Sequence, residues 1–336
     1  MNSIFAVLIG LLPVFLFLVA LILLDSYKLV KALSVIYAIV YGCAVAGVGF
    51  LLNTLVIQKT AIEFSVYARY IAPIIEEILK ALYLMVLIKR KKIGFMVDAA
   101  IYGFAVGAGF AFLENIYYLT SLPDADIFLW VIRGFGTAVM HGGTTAIVGL
   151  LAKNASDYKE TDRISIFAKG LLIGIIIHSY YNHFFLNLLF TPVTIIVGLP
   201  LTLMYVFQQS ERSTREWLGV GFDTDVETLQ MLTSGNLPQT KIGTYLQTLQ
   251  NRFRGEVIAD MICYLQIYLE LSIRAKGVLL MREAGFSPPP EADTKEKFDE
   301  LGYLEKSIGQ TGKLALHPFL HTSGRNLWQL TMLQQG

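Results

Sequence analysis

The sequence predicts an all-α protein: a polytopic membrane helix bundle of about seven transmembrane helices, followed by a C-terminal helical cytosolic domain. Of the 336 residues, 54% are hydrophobic and 16% are charged, whereas roughly a quarter of the residues in a soluble domain are charged. Apolar runs long enough to cross a hydrocarbon core of roughly 30 Å recur as far as residue 207. From residue 209 charges become frequent and no run is long enough to span. We therefore divide the chain into a transmembrane domain, 1–208, and a cytosolic domain, 209–336.

The predicted spans follow one another through short connections. The first has no Lys or Arg before it and no small-x-small cleavage site after it, so we expect a retained helix and not a signal peptide. The second is rich in Gly and Ala, which let helix backbones approach closely in lipid. We expect residues 53–68 to form a connection. The spans cover residues 3–24, 29–52, 69–88, 95–119, 128–151, 167–188 and a seventh that ends near 207.

Basic loops predict the orientation of the bundle. Residues 89–92 are all Lys or Arg, and residues 153–169 are again basic and polar, so both loops are expected in the cytoplasm. The loop at residues 121–126 has no basic residue and is expected outside. The N-terminus is therefore expected outside and the C-terminus in the cytoplasm.

The second domain has a helical pattern of its own. Apolar residues recur every three or four positions from Leu246 to Tyr268, which predicts an amphipathic helix. Gly285 and the prolines at 288–290 are expected to end the helical region. The net charge is +1 and no basic tract with interleaved aromatics occurs, so we expect no nucleic-acid partner. The amphipathic helix favours packing within a small helical domain over a scaffold that recruits cytosolic partners.

The third span carries two adjacent carboxylates and a lysine in an otherwise apolar stretch. An ionisable side chain at membrane depth is costly, so it usually faces the bundle interior and has a function. Glu76 and Lys80 are four residues apart and share a helix face, while Glu77 points to a neighbouring face. The alternative is a simple internal ion pair between Glu76 and Lys80.

Three further spans carry polar side chains at a similar depth, between the middle of the membrane and its outer surface: Glu114, His141, His178 and Asn182. Two imidazole nitrogens and one or two carboxylate oxygens, with an open position, match the ligand set of a catalytic zinc site. A glutamate beside such a site can take a proton from the bound water. Asn182, which shares a helix face with His178, can orient a ligand or donate a hydrogen bond to a developing oxyanion.

Ordinary packing is an alternative for several polar residues. A lone histidine in a membrane helix often hydrogen-bonds a neighbouring helix, and this interpretation stays open for His141. We expect Arg133, in the fifth span, to lie near the outer interface and to snorkel to water. His183 points away from the face of His178 and is expected to be structural. These alternatives do not explain why carboxylates and imidazoles gather on four helices.

The motifs resemble those of the PrsW family of intramembrane proteases, which is related to the CAAX-prenyl proteases. The resemblance covers roughly residues 70–185, and Asn182 stands where the family also has Asp. No single motif is specific, but their order on successive spans makes the match strong. The motifs are Glu76-Glu77-x-x-Lys80, Phe110-x-x-x-Glu114-Asn115, the isolated His141 and His178-x-x-x-Asn182.

The resemblance implies a metal-dependent peptidase of a bacterial-type inner membrane, which cuts membrane-anchored protein substrates. The family's named member cuts a membrane-anchored anti-sigma factor on the extracytoplasmic side. By resemblance, Glu76 and Glu77 supply the general base, with Asn182 in support. The implied ligands of a divalent metal ion, with Zn²⁺ expected, are Glu114, His141 and His178.

Two hypotheses from different classes follow. The first is an intramembrane metallopeptidase in which Glu76 deprotonates zinc-bound water for attack on a peptide carbonyl. The second is a proton- or ion-coupled transporter, or a sensor without catalysis, because chains of Glu, His and Lys also build proton relays. Transporters often have corresponding broken helices in two related halves. No repeat relates the halves of this sequence, which favours the peptidase.

Overall fold

The computed structural model describes residues 3–60, 62–158, 164–187, 190–286, 288–289, 291–320 and 324–335. The chain is 85% helical, and the described residues include no strand. Two compact units form, Met1–Glu211 and Arg212–Gly336. The predicted all-α fold class, a polytopic bundle of membrane helices, is confirmed.

The first unit is built from long apolar helices and two short ones. They are α1 (Ser3–Leu23), α2 (Ala32–Thr60), α3 (Phe64–Val66), α4 (Ala72–Lys89), α5 (Met96–Ser121), α6 (Ile127–Val131), α7 (Ala138–Tyr158) and α8 (Ala168–His183). Two π-helical turns, Tyr67–Ile71 and Ile132–Thr137, directly precede α4 and α7, and a 3₁₀ turn, Ile164–Phe167, precedes α8. Helix α9 (Phe190–Thr233) begins in the first unit and ends in the second.

Within the described residues, six helices are long and apolar enough to cross a membrane, by length and composition alone. The predicted third span, residues 69–88, is helical but is not one of the six, because α4 carries Glu76, Glu77 and Lys80. The prediction of a connection at 53–68 is wrong for its first half, since α2 continues to Thr60. A polar residue near the end of a long apolar helix does not end that helix.

Helix α5 lies at the centre of the bundle, and most of its residues are buried. It packs mainly against α7 and α2, and glycines allow both contacts. A Cβ atom on Gly107 would lie 2.1 Å from the carbonyl oxygen of His141, and one on Gly109 would lie 2.1 Å from that of Ile39. Only residues without a side chain permit such backbone contact. The close approach at Gly107 sets where His141 stands relative to α5.

The two π-helical turns lie just before the helices that carry ionisable side chains. A π-turn holds one residue more than an α-helical turn, so it changes the direction in which the following side chains point. Pro73 stands just after the first π-turn and has no N–H, and the carbonyl oxygen of Arg69, four residues earlier, accepts from Ser179 instead. The π-turns therefore set the rotation of α4 and α7 relative to the chain before them.

The second unit continues from α9 with α10 (Lys241–Leu249), α11 (Gly255–Glu283), α12 (Thr294–Leu316) and α13 (Gly324–Gln335). Its core lines up along α11, with Leu265, Leu271 and Leu279 fully buried. The amphipathic helix predicted from Leu246 to Tyr268 is interrupted, because α10 ends at Leu249 and α11 begins at Gly255. The prediction that the helical region ends near Gly285 is also wrong, since α12 and α13 follow the prolines.

Candidate active site

Polar side chains from α4, α5, α7 and α8 meet inside the first unit. The ring centroids of His141 and His178 lie 4.8 Å apart and the rings are nearly perpendicular, at 86°. Each of Glu76, His141 and His178 offers one ligand atom, and these atoms all lie within 4.8 Å of one another. Both imidazoles are buried. Three separate helices therefore direct nitrogen and oxygen donors at one small space.

His178 has one ring nitrogen engaged and the other facing a carboxylate. Its Nδ1 lies 2.8 Å from Oε1 of Glu77, and its Nε2 lies 3.9 Å from Oε2 of Glu76. An ionised carboxylate only accepts hydrogen bonds, so Nδ1 carries the hydrogen and the lone pair of Nε2 faces Glu76. A carboxylate behind a histidine commonly orients metal-binding imidazoles in this way. Glu77 thus stands behind His178, while Glu76 stands in front of it.

Glu77 is completely buried, and its contacts with Lys80, Thr144 and His178 all go to one oxygen, Oε1. Lys80 Nζ lies 2.6 Å from Oε1 of Glu77, and the Thr144 hydroxyl donates to the same oxygen at 3.2 Å. The ion pair observed on α4 is therefore Glu77–Lys80, three residues apart, and not the pair of Glu76 with Lys80 considered from the sequence. Because an unpaired buried charge is strongly destabilising, Lys80 makes the burial of Glu77 possible.

His141 lies between a cation and an anion. Its Nδ1 is 3.1 Å from Nζ of Lys80, and its Nε2 is 3.1 Å from Oε2 of Glu114. An ammonium group only donates, so Nδ1 accepts and Nε2–H donates to Glu114. Its position beside α5 agrees with the close contact at Gly107. Binding a cation through Nε2 requires the loss of this hydrogen.

Glu76 is oriented by a residue that the sequence analysis placed in a connection. Nδ2 of Asn53, on α2, donates to Oε1 of Glu76 at 3.0 Å, and the Tyr67 hydroxyl donates to Oδ1 of Asn53 at 2.7 Å. One oxygen of Glu76 is thus held from α2, and the other faces His178. The available signal was an amide side chain near the end of an apolar run, which we interpreted as the end of the helix.

Glu114 pairs with Arg133, which we expected from the sequence to lie at the outer interface. Nη2 of Arg133 lies 3.2 Å from Oε1 of Glu114, and the Arg133 side chain is only 12% exposed. The prediction that Arg133 snorkels at the interface is therefore wrong. Its charge is compensated inside the protein by Glu114, so it does not need to reach water.

Asn182 makes a backbone contact at the edge of this cluster. Its Nδ2 donates to the carbonyl oxygen of Ala68, at 2.9 Å, in the π-turn before α4. One turn earlier, the Ser179 hydroxyl donates to the carbonyl oxygen of Arg69. The structure thus brings Glu76, Glu77, Glu114, His141 and His178 together, and it places Asn182 on the backbone that leads into α4.

The donor set fits a divalent metal ion. Two imidazoles and one or two carboxylates suit Zn²⁺ and several other divalent ions. The lone pair of His178 Nε2 and Oε2 of Glu76 face the shared space from two different helices. Such convergent acceptor atoms are what a cation site requires.

The comparisons with known proteins agree with this geometry. The family model described as PrsW family intramembrane metalloprotease matches residues 30–208, slightly more than half of the chain, including every residue of the cluster. No curated protein and no solved structure matches the chain. Taken with the apolar helices, the match identifies an integral membrane protein that hydrolyses peptide bonds with the help of a metal ion. The chain belongs to the PrsW family of intramembrane metalloproteases.

Proposed function

We propose that this protease cuts membrane-anchored protein substrates and that Glu76 accepts the proton of the attacking water. The observation that carries the proposal is the cluster of ligand atoms from Glu76, His141 and His178 within 4.8 Å of one another. In this proposal His141, His178 and Glu114 hold a divalent ion, and Zn²⁺ is the expected one. When bound, such an ion acts as a Lewis acid that polarises the scissile carbonyl and lowers the pKa of water.

The contacts of each carboxylate support these roles. Glu77 is already engaged by Lys80, Thr144 and His178, so it orients the imidazole. Oε2 of Glu76 instead faces the space in front of His178 Nε2, which is 3.9 Å away. A base needs to lie within hydrogen-bond reach of the proton that it takes, and Glu76 is placed to do so for a water in that space. Asn182 contributes by fastening α8 to the turn before α4.

The substrate and orientation rest on the loops and on the family. We infer that residues 1–208 are the peptidase domain and that 209–336 form a cytosolic helical domain. The basic loop at residues 89–92 supports an outer N-terminus and a cytoplasmic C-terminus in a bacterial-type inner membrane. The polar cluster then lies in the outer half of the bundle. That depth suits a first cut in a single-pass protein on its extracytoplasmic side, and an anti-sigma factor is the proposed substrate.

The test combines metal analysis with cleavage assays on the full chain in detergent. We expect one equivalent of zinc and metal-dependent cleavage of a single-pass anti-sigma factor. Glu76→Gln should keep the metal and lower kcat by about 10²–10⁴-fold, the usual effect of removing a general base. Arg252→Met, at an exposed arginine of the second unit, is the matched control. Loss of the metal in Glu76→Gln would make Glu76 a ligand instead. Undiminished cleavage by Glu76→Gln would overturn the proposed role, and proton-coupled flux through a metal-free protein would favour a transporter.

A further inference from the structure

Arg133 is a largely buried arginine in the membrane part of the chain, and its guanidinium group makes three kinds of contact. Nη2 forms the ion pair with Glu114, and Nε donates to Oδ1 of Asn115 at 2.9 Å. The guanidinium carbon lies 3.7 Å from the centre of the Tyr118 ring. Asn115 is itself buried. Because an arginine at this depth is costly, its contacts with a carboxylate, an amide and an aromatic ring indicate that its position matters.

The ion pair divides the two oxygens of Glu114 between two neighbours. Oε1 faces Arg133 at 3.2 Å, and Oε2 faces His141 Nε2 at 3.1 Å. A carboxylate held at one oxygen by a fixed cation cannot rotate freely, so its other oxygen stays directed at the imidazole. The Glu114 side chain is 28% exposed, so without the ion pair to Arg133 it has room to turn away from His141 toward solvent.

A chain of hydrogen bonds links Arg133 to α1. Nδ2 of Asn115 donates to the carbonyl oxygen of Gly10 at 2.7 Å. A Cβ atom on Gly134, the residue next to Arg133, would lie 1.8 Å from the carbonyl oxygen of Ile9, so the π-turn contacts the backbone of α1 directly. Helix α1 ends at Leu23, outside the residues that match the family model. The polar site is thus braced by a helix that the match does not include.

We propose that Arg133 is a positioning residue that holds Glu114 against His141, and that Asn115 anchors it to the backbone of α1. This inference rests on the proposed function only for its effect on catalysis. A lysine cannot replace the arginine fully, because the contacts with Glu114 and Asn115 use different nitrogens of one planar fork. Substituting residues behind metal ligands typically costs about 10–100-fold in metal affinity or activity.

The experiment compares Arg133→Met, Arg133→Lys and Asn115→Asp in the full chain with Arg252→Met, at an exposed arginine, as the matched control. We expect Arg133→Met to lower kcat by about 10–100-fold with little change in KM, and to weaken zinc binding in chelator competition. Arg133→Lys should recover part of this loss. Asn115→Asp keeps the acceptor for Arg133 but removes the donor to Gly10, so a loss in this variant supports the anchor to α1.

A second readout separates this inference from the proposed function. In metal-free protein, nitrogen NMR of the histidine rings reports the hydrogen bond between His141 Nε2 and Glu114, with Glu114→Gln as the positive control. We expect Arg133→Met and Asn115→Asp to move the His141 signals in the same direction as Glu114→Gln, while Arg252→Met leaves them unchanged. If wild-type protein neither binds zinc nor cleaves, the proposed function fails while this readout still decides the role of Arg133. Unchanged His141 signals in Arg133→Met and Asn115→Asp would overturn the inference.

Discussion

Both units bury a lysine against a carboxylate, but the surroundings of the two pairs differ. In the first unit the pair is Glu77–Lys80, and Lys80 Nζ also lies 3.1 Å from Nδ1 of His141. In the second unit Lys276 Nζ lies 2.5 Å from Oδ2 of Asp225 and donates to the carbonyl oxygen of Gly221. All four charged side chains are at most 1% exposed.

The two clusters differ in the chemical groups that surround the ion pair. Beside Asp225 lie two neutral groups that hydrogen-bond one another, since Ser272 donates to Asp225 and Gln329 donates to Ser272. Around Glu77 the neighbours are a second carboxylate and two imidazoles whose ligand atoms face a common space. A buried ion pair by itself therefore indicates only a compensated charge. Convergent donor atoms beside the pair are what indicate a site.

The largest expected effect comes from removing either lysine. Lys80→Met and Lys276→Met each leave a buried carboxylate without its cation, so each should lower the free energy of unfolding by about 3–5 kcal/mol. Only Lys80→Met should also lower cleavage per folded molecule, by at least about 10-fold, because Lys80 contacts His141. Denaturant unfolding and kcat of the folded fraction measure the two effects. Equal losses of kcat in both variants would remove the distinction between the clusters.

A large effect is also expected where α5 touches α7. Gly107→Ala places a Cβ atom 2.1 Å from the carbonyl oxygen of His141, so the helices must separate. We expect a loss of about 1–3 kcal/mol in unfolding free energy and a fall in kcat, because His141 moves. Gly198→Ala is the control, since a Cβ atom there meets nothing within 4 Å. Wild-type kcat in Gly107→Ala would show that the site does not depend on this contact.

An intermediate effect is expected from the amide that holds Glu76. Asn53→Ala removes the hydrogen bond at 3.0 Å to Glu76 and should lower kcat by about 10-fold. This fall corresponds to an activation free energy that is higher by roughly 1.4 kcal/mol. Tyr67→Phe removes the next link, the hydroxyl that donates to Asn53, and should have a smaller effect. Steady-state kinetics at saturating substrate measure both. A larger loss in Tyr67→Phe than in Asn53→Ala would contradict the proposed chain of orientation.

The smallest expected effect is the pH dependence of a surface pair in the second unit. Burial raises the pKa of Glu270, but hydrogen bonds from Lys297 and Gln266 outweigh it and hold the pKa below its ordinary value of 4.5. The pair therefore stabilises the folded chain above pH 4.5, and this stability is lost as the pH falls through the lowered pKa. Because both side chains are about a quarter exposed, we expect less than about 1 kcal/mol.

The measurement for this pair is the difference in unfolding free energy between wild type and Glu270→Gln from pH 7 to pH 3. The difference should be present at pH 7 and shrink as the pH falls. A difference that grows toward acid pH would mean that the carboxylate is destabilising in the folded state. Arg212→Gln, in an exposed pair with Glu216, is a control that should show almost no effect.

Much of the fold follows from the sequence because length and apolarity decide which segments can enter a membrane. The six apolar spans and the break between the sixth and seventh predicted spans need no tertiary information. The course of α2 beyond Asn53 was not predictable, since that amide is satisfied by Glu76 and Tyr67 from other parts of the chain. For the same reason Arg133 could not be recognised as buried before its partner Glu114 was placed beside it.

By itself the sequence determined which chemical groups the apolar region carries: carboxylates and imidazoles, all within the residues that match the family model. Only the tertiary structure decided which group meets which: Lys80 with Glu77, Asn53 with Glu76 and Arg133 with Glu114. The physical reason is that helical spacing gives the face of a residue but not the rotation of the whole helix. Here that rotation is set by two π-turns and by close backbone contacts at Gly107 and Gly109, which depend on residues far apart in the chain.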